Sequence, residues 1–205
     1  MIDLYTWGTP NGRKISIMLE ALRLPYNVHP VDILNNEQFD EAFLAISPNN
    51  KIPAIVDDEG PDGETISIFE SGAILLYLAE KGGEFFPDEP RERIECMEWL
   101  MWQMGSFGPF LGQAHHFNRF APEPVPYAIA RYNNEAQRLW RVLDQRLNGR
   151  QFILQDNLSV ADFAIYPWAM RHEWQMIDLD DFPHVQAWMQ RMGHIEFVQH
   201  GMQVP

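Results

Sequence analysis

The spacing of apolar residues along this chain alternates between a period of two and a period of about 3.6, then keeps only the longer one after residue 90. Interleaved periods predict strands and helices packed together, and the helical period by itself predicts an all-α region. Residues 1–6 read as a strand and Gly8-Thr9-Pro10-Asn11-Gly12 as a turn. Ile15, Met18, Leu19 and Leu22 then recur at i, i+3, i+4, i+7 as one face of a helix. After the break at Leu24-Pro25, residues 26–33 alternate as a second strand. Phe39, Phe43, Leu44 and Ile46 predict a short helix before Ser47-Pro48-Asn49-Asn50. Residues 54–56 and 65–69 read as two short strands joined by the polar stretch 57–64, whose glycines and proline suit a hairpin. A helix over 71–80 completes a βαβαββα order.

Gly82-Gly83-Glu84-Phe85-Phe86-Pro87-Asp88-Glu89-Pro90 interrupts both periods, which predicts a domain over 1–82, a linker over 83–90 and a helical domain over 91–205. The long segment 91–117 is expected to kink or break near Gly105-Ser106-Phe107-Gly108-Pro109, because Pro109 has no amide hydrogen to donate. Ile129, Tyr132, Ala136, Leu139, Leu143 and Leu147 mark a helix over 126–147. Ser159-Val160-Ala161-Asp162 is a variant capping box opening another, and a last helix fits 183–192.

Composition narrows the function classes. A 205-residue chain that is 46% hydrophobic and 21% charged is globular. Its 29 acidic against 15 basic side chains leave a net charge of -14, which repels phosphate backbones and anionic membrane surfaces, so neither nucleic acid nor membrane is an expected partner. The single cysteine, Cys96, excludes a disulfide framework within the chain. The N-terminus lacks a secretory pattern, so a cytoplasmic location is expected.

Strand-turn-helix at residues 4–14 sets Thr9 and Asn11 at a helix N-terminus, where backbone amides and the helix dipole stabilise an anion such as a thiolate. Taken alone, this turn reads as an ordinary capped helix start. Its company matters: Ile52-Pro53 between a polar loop and a short strand, and Phe69-Glu70-Ser71-Gly72 opening the next helix. With these three sites in a βαβαββα order, the whole chain resembles the glutathione S-transferases. That resemblance implies a thioredoxin-like N-terminal domain, an all-α C-terminal domain and a glutathione groove between them. Thr9 to Gly12, residues 46–55, residues 69–78 and Gly112-Gln113-Ala114-His115-His116-Phe117 are similar to the Nu class.

By resemblance, Thr9 and Asn11 are the catalytic pair beside the glutathione sulfur, acting by anion stabilisation without a base. Tyr5, the position that a tyrosine-type transferase suggests, lies inside the strand before the turn. Pro53 is expected to follow a cis peptide bond, Ile52 to pair with the glutathione cysteine backbone, and Glu70 and Ser71 to meet the γ-glutamyl group. Gln38 and Lys51 match positions near the glycyl end, and Arg131 matches an arginine that contacts glutathione, although a solvated surface charge is an equal reading of it. The turn keeps the proline of Cys-Pro-x-Cys reductases but has neither thiol, and Cys96 reads as an inert buried residue. The expected function is therefore a homodimeric, glutathione-dependent disulfide-bond oxidoreductase that borrows its sulfur from glutathione. Conjugation or peroxide reduction, and a non-catalytic regulatory role on the same fold, are the alternatives. No metal is expected, because adjacent His115 and His116 diverge on a helix. The aspartates at 178, 180 and 181 read as a helix-capping turn, and the aromatic residues Trp99, Trp102, Phe107, Phe110, Phe117 and Trp168 read as core, with the lining of an apolar substrate pocket as the alternative.

Overall fold

A computed structural model describes residues 1–205. The chain divides into two units, Met1–Glu84 with Ile195–Pro205, and Phe85–His194.

In the first unit, β1 (Ile2–Thr6), α1 (Pro10–Leu22), β2 (Tyr26–Pro30), α2 (Glu41–Leu44), β3 (Ala54–Asp57), β4 (Ile66–Phe69) and α3 (Ser71–Gly82) follow the order the periods predict. The sheet order is β2-β1-β3-β4, with β1 parallel to β2 and antiparallel to β3, and β3 antiparallel to β4. Leu4 lies opposite Val28 on one side and Ile55 on the other, so β1 is the central strand that carries the chain into the Thr9 turn. Strand β2 stops at Pro30, short of residue 33, and the Val31 amide turns back to the Thr6 carbonyl. Asp57 ties the end of β3 to α3, accepting from Tyr77 Oη and Lys81 Nζ, each at 2.7 Å.

Helix α1 is buried beyond the one predicted stripe, with Ile17 and Ser16 as inaccessible as Ile15, Met18 and Leu19. Its second face is covered by α9 (Glu196–Gly201), a helix the sequence pattern did not predict. Ser16 Oγ donates to the Gly201 carbonyl at 2.6 Å. A Cβ on Gly201 would stand 2.5 Å from the Ile17 backbone, so only glycine permits this approach. Residues 195–205 group with the first unit, whereas the sequence reading sets them in the helical domain over 91–205.

The second unit holds α4 (Pro90–Trp102), α5 (Gly108–His115), α6 (Pro126–Leu147), α7 (Val160–Ala169) and α8 (Pro183–Gly193). The expected break near Pro109 is replaced by a π-helical turn, Gln103–Phe107. The Gly108 amide reaches back five residues to the Gln103 carbonyl, and Pro109 falls in the first turn of α5, where its missing donor costs least. A second such turn, His116–Phe120, ends the run. Helix α7 is buried over its whole length. Asp162 closes its N-terminus by accepting from Ser159 N and Oγ, Ile153 N and Trp188 Nε1, all at 3.0 Å. Trp99, Trp102, Phe107 and Trp140 contact one another in sequence, as do Phe110, Tyr132 and Phe117. No helix is long and apolar enough to cross a membrane.

Candidate functional site

The site of the first unit is built on two helix N-termini and the loop between them. Thr9 is the N-cap of α1, extended in backbone and half-buried, with Oγ1 accepting from Gly12 N at 3.3 Å and Pro10 in the first turn. Gly12 is required for steric reasons: a Cβ there would lie 2.2 Å from Thr6 Oγ1 and 2.6 Å from the Trp7 carbonyl. The helix therefore starts hard against the end of β1, and Asn11, also half-buried, sits within its first turn. Tyr5 is committed elsewhere, its ring stacked on His29 at 4.7 Å and packed, as are Ile46 and Ile52, against the buried cluster of Val31, Phe43 and Ala54.

The Ile52-Pro53 peptide bond is cis, as the resemblance implied. Pro53 is buried, Ile52 half-buried and Lys51 exposed; Ser47 Oγ holds this loop by donating to the Lys51 carbonyl at 2.8 Å. Gln38 lies in the short helical turn Glu37–Phe39 ahead of α2, and its Oε1 is buried with no hydrogen-bond partner.

At the start of α3, Glu70 occupies the N-cap position with φ 71°, in the half of backbone space that favours glycine, and it makes no side-chain cap hydrogen bond. Its carbonyl accepts from Ile74 N at 2.9 Å, while its side chain is exposed. A non-glycine residue held at positive φ is the kind of outlier that clusters at ligand sites. Ser71, the next residue, is 4% exposed, and its Oγ accepts from Lys14 Nζ at 3.1 Å. Lys14 was not among the residues singled out from sequence. It is 1% exposed, and burial draws its ammonium down to about 7, with the Glu70 carboxylate opposing the shift. The available signal was a lysine three and four residues ahead of Ile17 and Met18, on a stripe that is otherwise core.

Thr9, Asn11, Gln38, Lys51, Ile52, Pro53, Glu70 and Ser71 all belong to the first unit, whereas Arg131 stands exposed on α6 in the second. Cys96 is fully buried on α4, and burial pushes its thiol up to about 11 against the help of Ser159 and the Ala161 backbone. His115 packs between Trp168 and Trp174 and meets Gln175 at 3.2 Å. Burial and the nearby Arg171 and Arg119 lower it to about 4, which makes it a neutral core imidazole. Asp178 caps its own turn, accepting from Asp180 N at 3.1 Å.

This is the fold and the arrangement of helix ends of the glutathione S-transferases, and the chain belongs to that family. The family's N-terminal domain matches residues 9–81 and its C-terminal domain residues 126–196. Over 193 residues the chain is 52% identical to the disulfide-bond oxidoreductase YfcG of Escherichia coli K12, spanning 94% of this chain and 90% of that one. A glutathione transferase family member from Pseudomonas fluorescens, solved with two glutathiones bound, superposes with a TM-score of 0.95 at 42% identity, over 100% of this chain and 93% of that one. A glutathione transferase from Pseudomonas putida, solved with one glutathione disulfide per subunit, also gives 0.95 at 42% identity, over 100% and 91%.

Proposed function

We propose that this protein is a glutathione-dependent disulfide-bond oxidoreductase whose reacting sulfurs all come from its ligands. The observation that carries the reading is the state of its one cysteine: Cys96 is inaccessible and its pKa is raised to about 11, so the chain offers no thiolate of its own at neutral pH. The similarity to YfcG supports the reaction class.

Thr9 and Asn11 stand at the N-terminus of α1, where a hydroxyl, a side-chain amide and the helix amides stabilise the thiolate of bound glutathione. Glu70 receives the ligand's ammonium and Ser71 its γ-glutamyl carboxylate. Ile52 pairs with the cysteine backbone beside Pro53. Gln38 and Lys51 hold the glycyl end, and Arg131 is a further glutathione contact. The first thiolate attacks one sulfur of a disulfide substrate, forming a glutathionyl mixed disulfide and releasing one thiolate. A second glutathione thiolate attacks the glutathionyl sulfur, releasing the other substrate thiolate and leaving glutathione disulfide. Two glutathiones are oxidised by two electrons, and the substrate disulfide is reduced by two. The ligands of the two Pseudomonas relatives, two glutathiones in one and their disulfide in the other, match the reactants and product of this sequence. The finer reading is a Nu-class homodimer acting in the cytoplasm on small disulfides, with no metal.

The test is glutathione-dependent reduction of 2-hydroxyethyl disulfide, run beside conjugation of 1-chloro-2,4-dinitrobenzene, with the wild-type protein and Cys96→Ser. Disulfide reduction should dominate and survive the substitution. Dominant conjugation would reassign the protein as a conjugating transferase. Silence in both assays would overturn the enzymatic reading in favour of a regulatory role.

A further inference from the structure

Arginines that lie on aromatic rings in this chain fall into two kinds. Arg93 on Phe86, Arg146 on Trp99 and Arg191 on Phe152 each also donate to a backbone carbonyl, of Pro87, Ile153 and Gln151 respectively, and Arg146 pairs with Glu95 at 2.6 Å. Arg119 and Arg171 instead share one ring. Both guanidiniums lie 4.6 Å from the centroid of Trp174, and neither makes a hydrogen bond or ion pair with the chain. Two cations held no further apart than twice that distance repel each other. No carboxylate is paired with either, although acidic side chains outnumber basic ones 29 to 15. The local backbone brings the groups together. Residues 119 and 120 belong to the π-helical turn His116–Phe120, closed by the Ala121 amide donating to the His116 carbonyl at 2.8 Å. Neighbouring side chains on a regular helix diverge by about 100°. At this wide turn Arg119 and Phe120 both reach Trp174, the Phe120 ring edge-on at 5.7 Å, and such turns recur at functional sites. Trp174 is itself anchored: its carbonyl accepts from Asn118 Nδ2 at 3.1 Å, and Asn118 exchanges hydrogen bonds with Asn133 on α6.

We propose that Arg119, Trp174 and Arg171 form a binding site for a doubly charged oxyanion carried on an apolar body, the chemistry that aryl phosphates and aryl dicarboxylates share. Contact with the indole holds each guanidinium in place and leaves its N–H donors for oxygen acceptors, which a phosphate or carboxylate matches in pairs. Two unpaired cations are neutralised by two negative charges, and Phe120, 59% exposed, offers the apolar body a ring to lie against. Every residue of the site belongs to the second unit, so the proposal stands apart from the way glutathione is held.

The test titrates the full-length protein calorimetrically with phenyl phosphate and with phthalate. S-methylglutathione is present throughout so that neither probe is read at the glutathione site. Benzoate is the control with one charge, and inorganic phosphate the control with no apolar body. Wild type should bind at least one probe about tenfold more tightly than benzoate, and the tighter of the two identifies the headgroup. Arg119→Gln and Arg171→Gln should each weaken that probe about tenfold, as expected for a lost hydrogen bond to a charged group. Arg91→Gln removes the same charge from an exposed position at the start of α4 and should leave the affinity within about twofold. Phenyl phosphate should bind more tightly than inorganic phosphate, and Phe120→Ala should narrow that gap. Neither Arg119 nor Arg171 bonds to the chain, so their glutamine variants should keep the wild-type thermal midpoint. Binding of both probes no tighter than benzoate would overturn the proposal. So would an affinity unmoved by Arg119→Gln and Arg171→Gln, or one that falls equally in Arg91→Gln. Each of these outcomes leaves the glutathione reading to its own assay.

Discussion

Two helix N-termini in this protein each have a buried ionisable side chain beneath a serine, and they use it in opposite ways. At α7, Asp162 lies under Ser159 and is saturated by the chain itself through two backbone amides, the Ser159 hydroxyl and the Trp188 indole. At α3, Lys14 lies under Ser71, which opens a helix whose N-cap residue makes no side-chain cap hydrogen bond. Burial pushes both groups toward neutrality, Asp162 up to about 6 and Lys14 down to about 7. The lesson is one of accounting for donors. The α7 start is closed by its own side chains, whereas the α3 start has no side-chain cap from its N-cap residue.

The largest expected effect breaks the closed end. Asp162→Ala leaves Ile153 N, Ser159 N and Trp188 Nε1 buried without their acceptor, which should cost about 3 kcal/mol or more of stability. Urea denaturation measures it, and glutathione affinity of the folded fraction should stay near wild type. A loss below about 1 kcal/mol would mean that α7 is held by its apolar burial and not by its cap.

How much of this contrast was legible beforehand depends on how local each signal is. The Ile129 to Leu147 stripe marked α6 to the residue, and the changes of period gave the βαβαββα order, because those patterns lie within one element. Helix α9 left no such trace: six residues long, it is held by Gly201 meeting Ile17 and Ser16, which are distant in sequence. Pro109 signalled a break, but a wide helical turn that absorbs a proline has no composition of its own. The Thr9 turn, Ile52-Pro53 and Glu70-Ser71 were visible as motifs, and their ligand roles came from resemblance. Lys14 was invisible for a different reason. Lysine is ordinarily a surface residue, so its place on a core stripe becomes a signal only when the depth of the stripe is known.

The next effect sharpens the open end. Folding lowers the pKa of Lys14 from 10.5 to about 7, so between those values the unfolded chain holds a proton that the folded chain has released. Stability contributed by this site therefore rises as pH increases from about 7, by at most about 1.4 kcal/mol per pH unit. The Met1 amino group, raised by its hydrogen bond to Asp58, works in the opposite sense above about pH 8. The signal is thus the difference between wild type and Lys14→Met, followed by urea denaturation between about pH 7 and 8.5. Wild type should gain on the variant as pH rises, and parallel curves would place Lys14 in a wetter setting than its burial implies.

Thr9→Ala probes the start of α1, which does carry a side-chain cap. Losing the Oγ1 contact to Gly12 N should cost about 1 kcal/mol in stability. Its effect on chemistry should be more selective, with disulfide reduction falling about tenfold and KM for glutathione changing less than about threefold, since the hydroxyl helps the thiolate more than the bound thiol. Equal losses in rate and binding would make Thr9 a cap and nothing more.

Cys96→Ser should do least, and its smallness is informative. The serine hydroxyl is smaller than the thiol and meets the same Ser159 side chain and Ala161 backbone, so the stability change should be about 1 kcal/mol or less. Reductase activity should be unchanged, because a thiol raised to about 11 and sealed in α4 supplies almost no thiolate at neutral pH and has no path to a substrate. A rate that fell with this substitution while the fold persisted would mean that Cys96 reaches solvent in some populated state. The distinction between the two halves would then dissolve, since the helical unit would itself carry a reacting sulfur, against the proposal that all of them come from ligands.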